Sequence, residues 1–211
     1  MSAIIDIGRL LRFTFSLLLI LPNIAGFNND LEWKLIKEED NIQVFARIAE
    51  NSSIKEIRIT CSVKTTMERM ESFLSDVPKY ADWVYKCDTS ILLNRVSDKE
   101  TYYYTTLNFP FPMTDRDLVI HSIHEIDSLG VYRSHSKASE AYYKGQEDYV
   151  RIEYFESTWE ITPQNDGTLF IDYFAYSDPG GDIPAWLVNL AIDQGPYRTM
   201  KQFVEMIERN E

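Results

Sequence analysis

The fold is decided by the segment Tyr176-Ser-Asp-Pro-Gly-Gly-Asp-Ile-Pro-Ala-Trp-Leu-Val-Asn-Leu-Ala-Ile-Asp-Gln-Gly-Pro196. Its Asp-Pro-Gly-Gly sequence ends a strand, because proline cannot donate to a central ladder and glycine adopts the positive φ of a tight bend. From Trp186 to Ile192 every residue except Asn189 is apolar. A helix that is apolar on nearly all sides is expected to be covered on more than one face.

Beyond Gly195-Pro196 the pattern becomes one-sided. Met200, Phe203, Val204 and Ile207 follow helical spacing, and charged residues lie between them. We therefore predict a long C-terminal helix, interrupted near Pro196, that lies across a curved sheet. The alternative is an ordinary core helix that follows a loop.

Upstream of this helix the chain is rich in strand patterns. Two strands with a polar turn between them are predicted within 33–48, and alternating residues from Ile57 to Val63 predict a third. A short helix then ends near Pro78. Further strands are predicted at 88–96, 100–108, 116–126, 130–138, 148–162 and 168–176. This order predicts an α+β fold, in which a curved antiparallel sheet of about nine strands wraps around the C-terminal helix and encloses a cavity.

Composition excludes some partners. The 211 residues carry a net charge of −12, which argues against nucleic acid because phosphates require a basic face. The same charge is repelled by an anionic membrane, so membrane contact has to come from apolar insertion. The chain contains 13 Tyr and 11 Phe, enough to line a sizeable cavity.

The first 26 residues resemble a signal peptide. Arg9 and Arg12 precede an apolar run at 13–21, and small residues follow at Ala25-Gly26. We predict that residues 1–26 direct export to the periplasm or the exterior, and that residues 27–211 form the mature domain. An uncleaved N-terminal membrane anchor is the alternative.

We expect neither a metal nor a cofactor. His121, His124 and His135 lie on predicted strands. His121 and His124 are an odd number of positions apart on the same strand, which places them on opposite faces. None of the common catalytic or phosphate-binding motifs occurs. We also expect Cys61 and Cys87 to be free, although an oxidising compartment would let them pair.

Two motifs resemble the START (steroidogenic acute regulatory-related lipid transfer) family, especially its phosphatidylcholine-transfer branch. One is Phe109-Pro-Phe-Pro-Met-Thr-Asp-Arg-Asp-Leu-Val119, and the other runs from Tyr176 to Asn189. The resemblance covers about Leu31 to Ile207. It implies a helix-grip fold that holds one lipid in a tunnel, with the C-terminal helix and the 109–115 loop as its gate.

The resemblance also implies site residues. Arg116 is expected to look into the cavity and to meet a polar ligand group or a carboxylate, for which Asp88 is the candidate. The other expected ligand contacts are Tyr104, Trp83, Met113, Trp159, Tyr173, Leu187, Asn189 and Leu190. Phosphatidylcholine-transfer members carry an arginine and an aspartate where this chain has Tyr80 and Val84. Phosphatidylcholine is therefore doubtful as the ligand.

Two classes of function follow. The first is non-enzymatic binding, with transfer or sensing of a lipid or another hydrophobic small molecule by a monomer. In this class Phe109, Phe111 and Met113 touch a membrane transiently while the gate opens; packing of these residues against the C-terminal helix is the alternative. The second is an enzyme of the same architecture, similar to polyketide cyclases and aromatases. Fold alone does not separate the two classes, but the two motifs and the signal segment favour the carrier.

Overall fold

The computed structural model describes residues 32–142, 148–192 and 194–209. The predicted signal segment and its cleavage site lie outside these residues. Within them, alternation of apolar and polar side chains builds one continuous sheet. Its strands are β1 (Lys34–Glu39), β2 (Ile42–Ile48), β3 (Lys55–Val63), β4 (Cys87–Ser97), β5 (Glu100–Leu107), β6 (Arg116–Ile126), β7 (Tyr132–Ala138), β8 (Val150–Arg151), β9 (Tyr154–Pro163) and β10 (Leu169–Asp178).

Nine of these strands form an antiparallel path in the order β1-β2-β3-β10-β9-β7-β6-β5-β4. The α+β helix-grip prediction is thereby confirmed. The predicted strand 148–162 is divided in two, because β8 leaves the path and pairs in parallel with the start of β6. The first three strands and the last strand lie in the same half of the sheet, because β10 pairs with β3.

Four α-helices accompany the sheet in the described part of the chain. They are α1 (Met67–Ser75), α2 (Tyr80–Trp83), α3 (Ala185–Ile192) and α4 (Gly195–Ile207), and a 3₁₀ turn at Val77–Lys79 joins the first two. The predicted C-terminal helix is thus two helices. Pro196 stands in the first turn of α4, where its missing N–H leaves no intrahelical bond unmade.

The sheet grips α4 rather than α3. On α4, Tyr197, Met200, Phe203 and Ile207 are buried against the concave face. No residue of α3 is fully buried, and Trp186 and Leu190 are exposed. The expectation that the all-apolar helix is covered on more than one face is wrong, because α3 contacts β3 and α4 but keeps an open side with Trp186 and Leu190.

None of the helices described is long and apolar enough to cross a bilayer. Cys61 and Cys87 are both free, as predicted. Burial raises the pKa of the Cys61 thiol to about 12, so it is protonated at neutral pH.

Candidate functional site

A large cavity lies between the concave face of the sheet and the helices. Its volume is about 760 Å³, which falls in the range of small-molecule sites. The strands supply its floor, α2 and α4 close one side, and α3 with the 109–115 loop stands at one end. We call that end, formed by the 109–115 loop and α3, the mouth.

The mouth is apolar. Leu187, Val188 and Ala191 of α3 line the cavity there, together with Pro110 and Met113 of the loop. The loop is a preformed turn, because the Met113 N–H donates to Pro110 O at 3.0 Å and the Phe109 N–H donates to Asp115 Oδ1 at 2.7 Å. An apolar ligand segment placed there therefore meets aliphatic side chains and few polar groups.

The floor carries a row of hydroxyl groups. The register of β5, β6, β7 and β9 aligns Thr101, Ser122, Ser136 and Ser157 side by side, and all four line the cavity. Ser136 Oγ donates to Ser122 Oγ at 2.9 Å. Small side chains in the middle of the sheet leave the space that larger ones would fill, so this row gives the cavity its depth.

Tyrosines stand around this row. Tyr80, Tyr103, Tyr132 and Tyr173 all line the cavity. Burial raises the pKa of Tyr132 and of Tyr173 to about 12, and it raises the pKa values of Tyr80 and Tyr103 as well. The four phenols are therefore neutral, so they add no charge to the cavity wall.

His124 lines the cavity near its far end. Its Nε2 lies 3.2 Å from Glu71 Oε1, and its ring stacks on Tyr132 with the centroids 5.3 Å apart. His121 is on the opposite side of β6 and contacts Glu100 Oε1 at 2.9 Å. Across the described ranges, no group of three or more His, Cys, Asp or Glu side chains is placed to hold a metal ion.

Six of the ten predicted site residues lie on the cavity wall. They are Trp83, Met113, Trp159, Tyr173, Leu187 and Leu190. Trp159 and Tyr173 face each other across β9 and β10, with ring centroids 4.6 Å apart. Their contact with a ligand stays a prediction. Tyr80 and Val84, which occupy the positions of the family's charged pair, also line the cavity.

Arg116 is not on the cavity wall, although it begins β6 on the same side as Leu118 and Ile120. Its guanidinium is buried among backbone carbonyls: Nε donates to Pro179 O and Nη2 to Gly180 O, both at 3.0 Å, and Nη1 donates to Thr114 O. It also lies 4.6 Å from the Phe109 ring centroid. The expected cavity position is wrong, because the Pro-Gly-Gly bend offers this long side chain better partners.

Asp88 and Tyr104 are also displaced from their expected positions. Asp88 is exposed, and it makes no ion pair with Arg116. A register irregularity between Cys87 and Thr89 sets the facing of β4 at this point. Tyr104 is buried on the convex side, where its hydroxyl donates to Asp117 Oδ2 at 3.3 Å. Its neighbour Tyr103 is the residue that faces the cavity.

Asn189 fastens α3 instead of lining the cavity. Its Oδ1 accepts from the Lys55 N–H at 2.8 Å, and its Nδ2 donates to Ser53 O at 3.0 Å. Asn189 is not among the residues that line the cavity, because its side chain points to the β2–β3 connection. The one polar residue of α3 is thus the residue that holds the helix to the sheet.

Sequence reasoning missed the hydroxyl row and Tyr103. The signal was present in the alternation, since Ser122 shares a face with Leu118 and Ile120, and Ser157 shares one with Trp159. Serines inside an apolar alternation indicate a polar floor. Whether these serines align across neighbouring strands depends on the strand register, which the sequence alone does not determine.

Known proteins resemble this chain over most of its length. A model of the START domain family matches residues 28–211. An uncharacterized protein of Pseudomonas aeruginosa is 29% identical over 178 residues, which span 84% of this chain and 88% of that protein. Phosphatidylcholine transfer protein of Bos taurus is 25% identical over 186 residues, spanning 82% of this chain and 83% of the bovine protein.

Solved structures agree with the fold. A STAR-related lipid transfer protein from Xanthomonas axonopodis superposes with a TM-score of 0.78 at 28% identity, covering 84% of this chain and 99% of that one. Human StAR-related lipid transfer protein 5 superposes with a TM-score of 0.68 at 16% identity, covering 84% of this chain and 88% of the human one. At that identity the human structure bears on the fold alone.

Proposed function

Because the chain belongs to the START domain family, we propose that it binds a lipid or another hydrophobic small molecule and carries or senses it without chemical conversion. The observation that supports this most strongly is the cavity of about 760 Å³, walled by apolar and aromatic side chains. An empty apolar cavity of that size would forfeit packing energy, so a ligand that fills it stabilises the fold.

The mouth is the proposed gate and membrane contact. Phe111 is 98% exposed, Trp186 68% and Leu190 61%, and all three belong to the mouth. Exposed apolar groups clustered beside a cavity are typical of an interaction surface. With a net charge of −12, attachment to a membrane would rest on insertion of these side chains.

The gate is tested by placing charge at the mouth. A variant with Phe111→Asp and Trp186→Asp is expected to slow transfer of a fluorescent lipid between vesicles by about tenfold, since each aromatic group no longer inserts. Leu129→Asp is the matched control, because Leu129 is 82% exposed but lies in the β6–β7 turn at the far end. Equal slowing by both variants would contradict the proposal.

Phosphatidylcholine is not the ligand that we propose, although relatives carry its name. Tyr80 and Val84 are uncharged, and the Tyr80 hydroxyl already donates to Leu74 O. The cavity wall at this point has no charged pair to receive a phosphocholine group. The bound molecule therefore has to be identified by extraction from the purified chain, since the names of relatives do not identify it.

The decisive experiment is native mass spectrometry of the purified chain, followed by extraction of whatever co-purifies. We expect a one-to-one complex with an apolar molecule, on a monomer. If the chain carries nothing and binds none of a broad panel of lipids, the proposed function is refuted. Arg116, which lies off the cavity wall, has no part in this proposal.

An enzymatic role is the second candidate, and one observation favours it. His124 and Tyr132 stand together on the cavity wall, and such groups transfer protons in enzymes. The extracted molecule separates the two roles when it is returned to the chain. A carrier gives it back unchanged, whereas an enzyme gives a product whose formation is lost in His124→Gln.

We further propose that the protein is exported by its N-terminal segment. Recovery from a bacterial host that expresses the full chain tests this. A first residue of Gly26 or Phe27 in the periplasm or medium is the expected result. Met1 retained in the membrane fraction would favour the anchor instead.

A further inference from the structure

Tyr103 carries a hydroxyl that the fold leaves unused. The residue lies on β5, lines the cavity and is 7% exposed. Within the described ranges its hydroxyl makes no hydrogen bond, although a buried phenol usually makes one, and it is not among the fully enclosed unpaired atoms, so it opens to the cavity. Tyr80 and Tyr104 follow that rule, because they donate to Leu74 O and to Asp117 Oδ2.

The neighbourhood of Tyr103 makes it part of a polar floor. On β5 it lies between Thr101 and Thr105, and Thr101 belongs to the hydroxyl row with Ser122. The mouth, by contrast, is lined by aliphatic groups of α3 and the loop. A ligand matched to both surfaces has its polar group at the floor and its apolar chains toward the mouth.

The middle of the floor, formed by Ser122, Ser136 and Ser157, carries no cation. Among the described lining residues, Lys86 and Asp98 are exposed in turns, and Lys55 is partly exposed at the start of β3. Arg95 is exposed on β4 and pairs with Thr101 at the end of the hydroxyl row, and His124 is paired with Glu71. A phosphate in the middle of the floor would be buried without a cation in contact, which opposes its binding. Burial raises the pKa of Tyr103 well above its usual value, which shows the same resistance to an anion.

We infer that the ligand is an uncharged lipid, held by its hydroxyl or carbonyl oxygen on the floor of the cavity, with the Tyr103 hydroxyl as donor to that oxygen. This inference rests on the proposed function and adds a substrate class to it. Hydroxyl and carbonyl oxygens accept a hydrogen bond from a phenol without bringing a charge to be desolvated.

Three lipids with identical acyl chains test the class. Dioleoylglycerol, dioleoylphosphatidic acid and dioleoylphosphatidylcholine differ only in the head group. Their dissociation constants for the full chain are measured by competition against a fluorescent dioleoylglycerol analogue. We expect dioleoylglycerol to bind at least about 100-fold more tightly than phosphatidic acid, with phosphatidylcholine weaker than dioleoylglycerol as well.

A single-atom change tests the residue. Tyr103→Phe removes only the hydroxyl, and it is expected to weaken dioleoylglycerol binding about 3- to 10-fold. Stability of the ligand-free variant should change little, since this hydroxyl makes no hydrogen bond within the described ranges. Tyr102→Phe is the matched control, because Tyr102 neighbours it on the other side of β5 and stacks on His121. The control is expected to bind like the parent.

The outcomes separate this inference from the proposed function. If phosphatidic acid or phosphatidylcholine binds as tightly as dioleoylglycerol, or if Tyr103→Phe binds like Tyr102→Phe, the inference is overturned and lipid binding stands. If none of the three lipids binds and nothing co-purifies with the chain, the proposed function and the inference both fail.

Discussion

The two C-terminal helices are buried in the reverse order of their apolar content. α4 has an apolar stripe on one side only, yet four of its residues are buried in the core. α3 is apolar nearly throughout, yet none of its residues is fully buried. Hydrophobicity therefore marks the core in α4 and a cavity rim in α3. The difference indicates that the apolar side chains of α3 line the cavity rim and face the mouth, and that they do not serve to pack a core.

The contacts that hold the two helices also differ. Phe203 of α4 packs on Phe73, Trp83 and Trp159, with ring centroids 5.2–5.4 Å apart. α3 is tied to the sheet by the two hydrogen bonds of Asn189. We interpret α4 as an anchor and α3 as a lid, and the following predictions test this contrast.

The largest effect is expected in the anchor. Phe203→Ala should lower the free energy of unfolding by about 3–5 kcal/mol, because it empties the centre of an aromatic cluster. Phe111→Ala removes the same ring at the exposed mouth and should change stability by less than about 0.5 kcal/mol. Urea unfolding measures both. Similar losses in the two variants would refute the contrast.

A smaller effect is expected at the bend before the lid. Arg116→Met removes three hydrogen bonds to backbone carbonyls and should cost about 2–3 kcal/mol of stability. Affinity of the folded protein for its ligand should be unchanged, because Arg116 does not line the cavity. Arg58→Met breaks an exposed ion pair with Asp172 and should cost less than about 1 kcal/mol. A loss of affinity in Arg116→Met without a loss of stability would restore the expected ligand contact.

The lid itself should respond to loss of its fastening. Asn189→Ala removes both hydrogen bonds to the β2–β3 connection and should speed ligand release about 3- to 10-fold, which corresponds to about 1 kcal/mol. The urea midpoint should move little, because α3 adds little to the core. Asn189→Asp keeps an acceptor for the Lys55 N–H, so its ligand release rate should lie between those of the parent and Asn189→Ala. Release at the parental rate in both variants would show that α3 is not the lid.

The two cysteines give the smallest and most local readout. Cys87 lines the cavity and is partly buried, whereas Cys61 is buried in the core. Burial raises the pKa of both thiols, so the reactive thiolate is scarce at neutral pH and both react more slowly than a free thiol. Ligand should slow alkylation of Cys87 and leave Cys61 unchanged. Alkylation of Cys87 that ignores the ligand would place the ligand elsewhere.

Much of the fold could be predicted from the sequence, because local patterns decide it. The alternation from Ile57 to Val63 predicts β3, and the Pro-Gly-Gly bend predicts where β10 ends. Pro196 also predicts an interruption of the C-terminal helix, and the structure begins α4 at Gly195, directly before it. The sequence does not predict the exposure of α3, since that exposure depends on how far the sheet reaches around the helix.

The site was less predictable, because its residues are set by register and by the reach of side chains. Tyr104 and Tyr103 are adjacent, and an error of one position reverses the face. The irregularity beside Cys87 sets the facing of Asp88. Periodicity places Arg116 on the concave side, but it cannot state that the guanidinium turns to Pro179 and Gly180.

Hydrogen exchange of the two helices tests the central contrast most directly. Amides of α3 should exchange at least about 100-fold faster than those of α4 in the ligand-free chain, because α3 opens locally while α4 opens only with the core. Bound ligand should slow α3 strongly and α4 little. Equal protection of α3 and α4 in the ligand-free chain, unchanged by ligand or by vesicles, would contradict the division into lid and anchor.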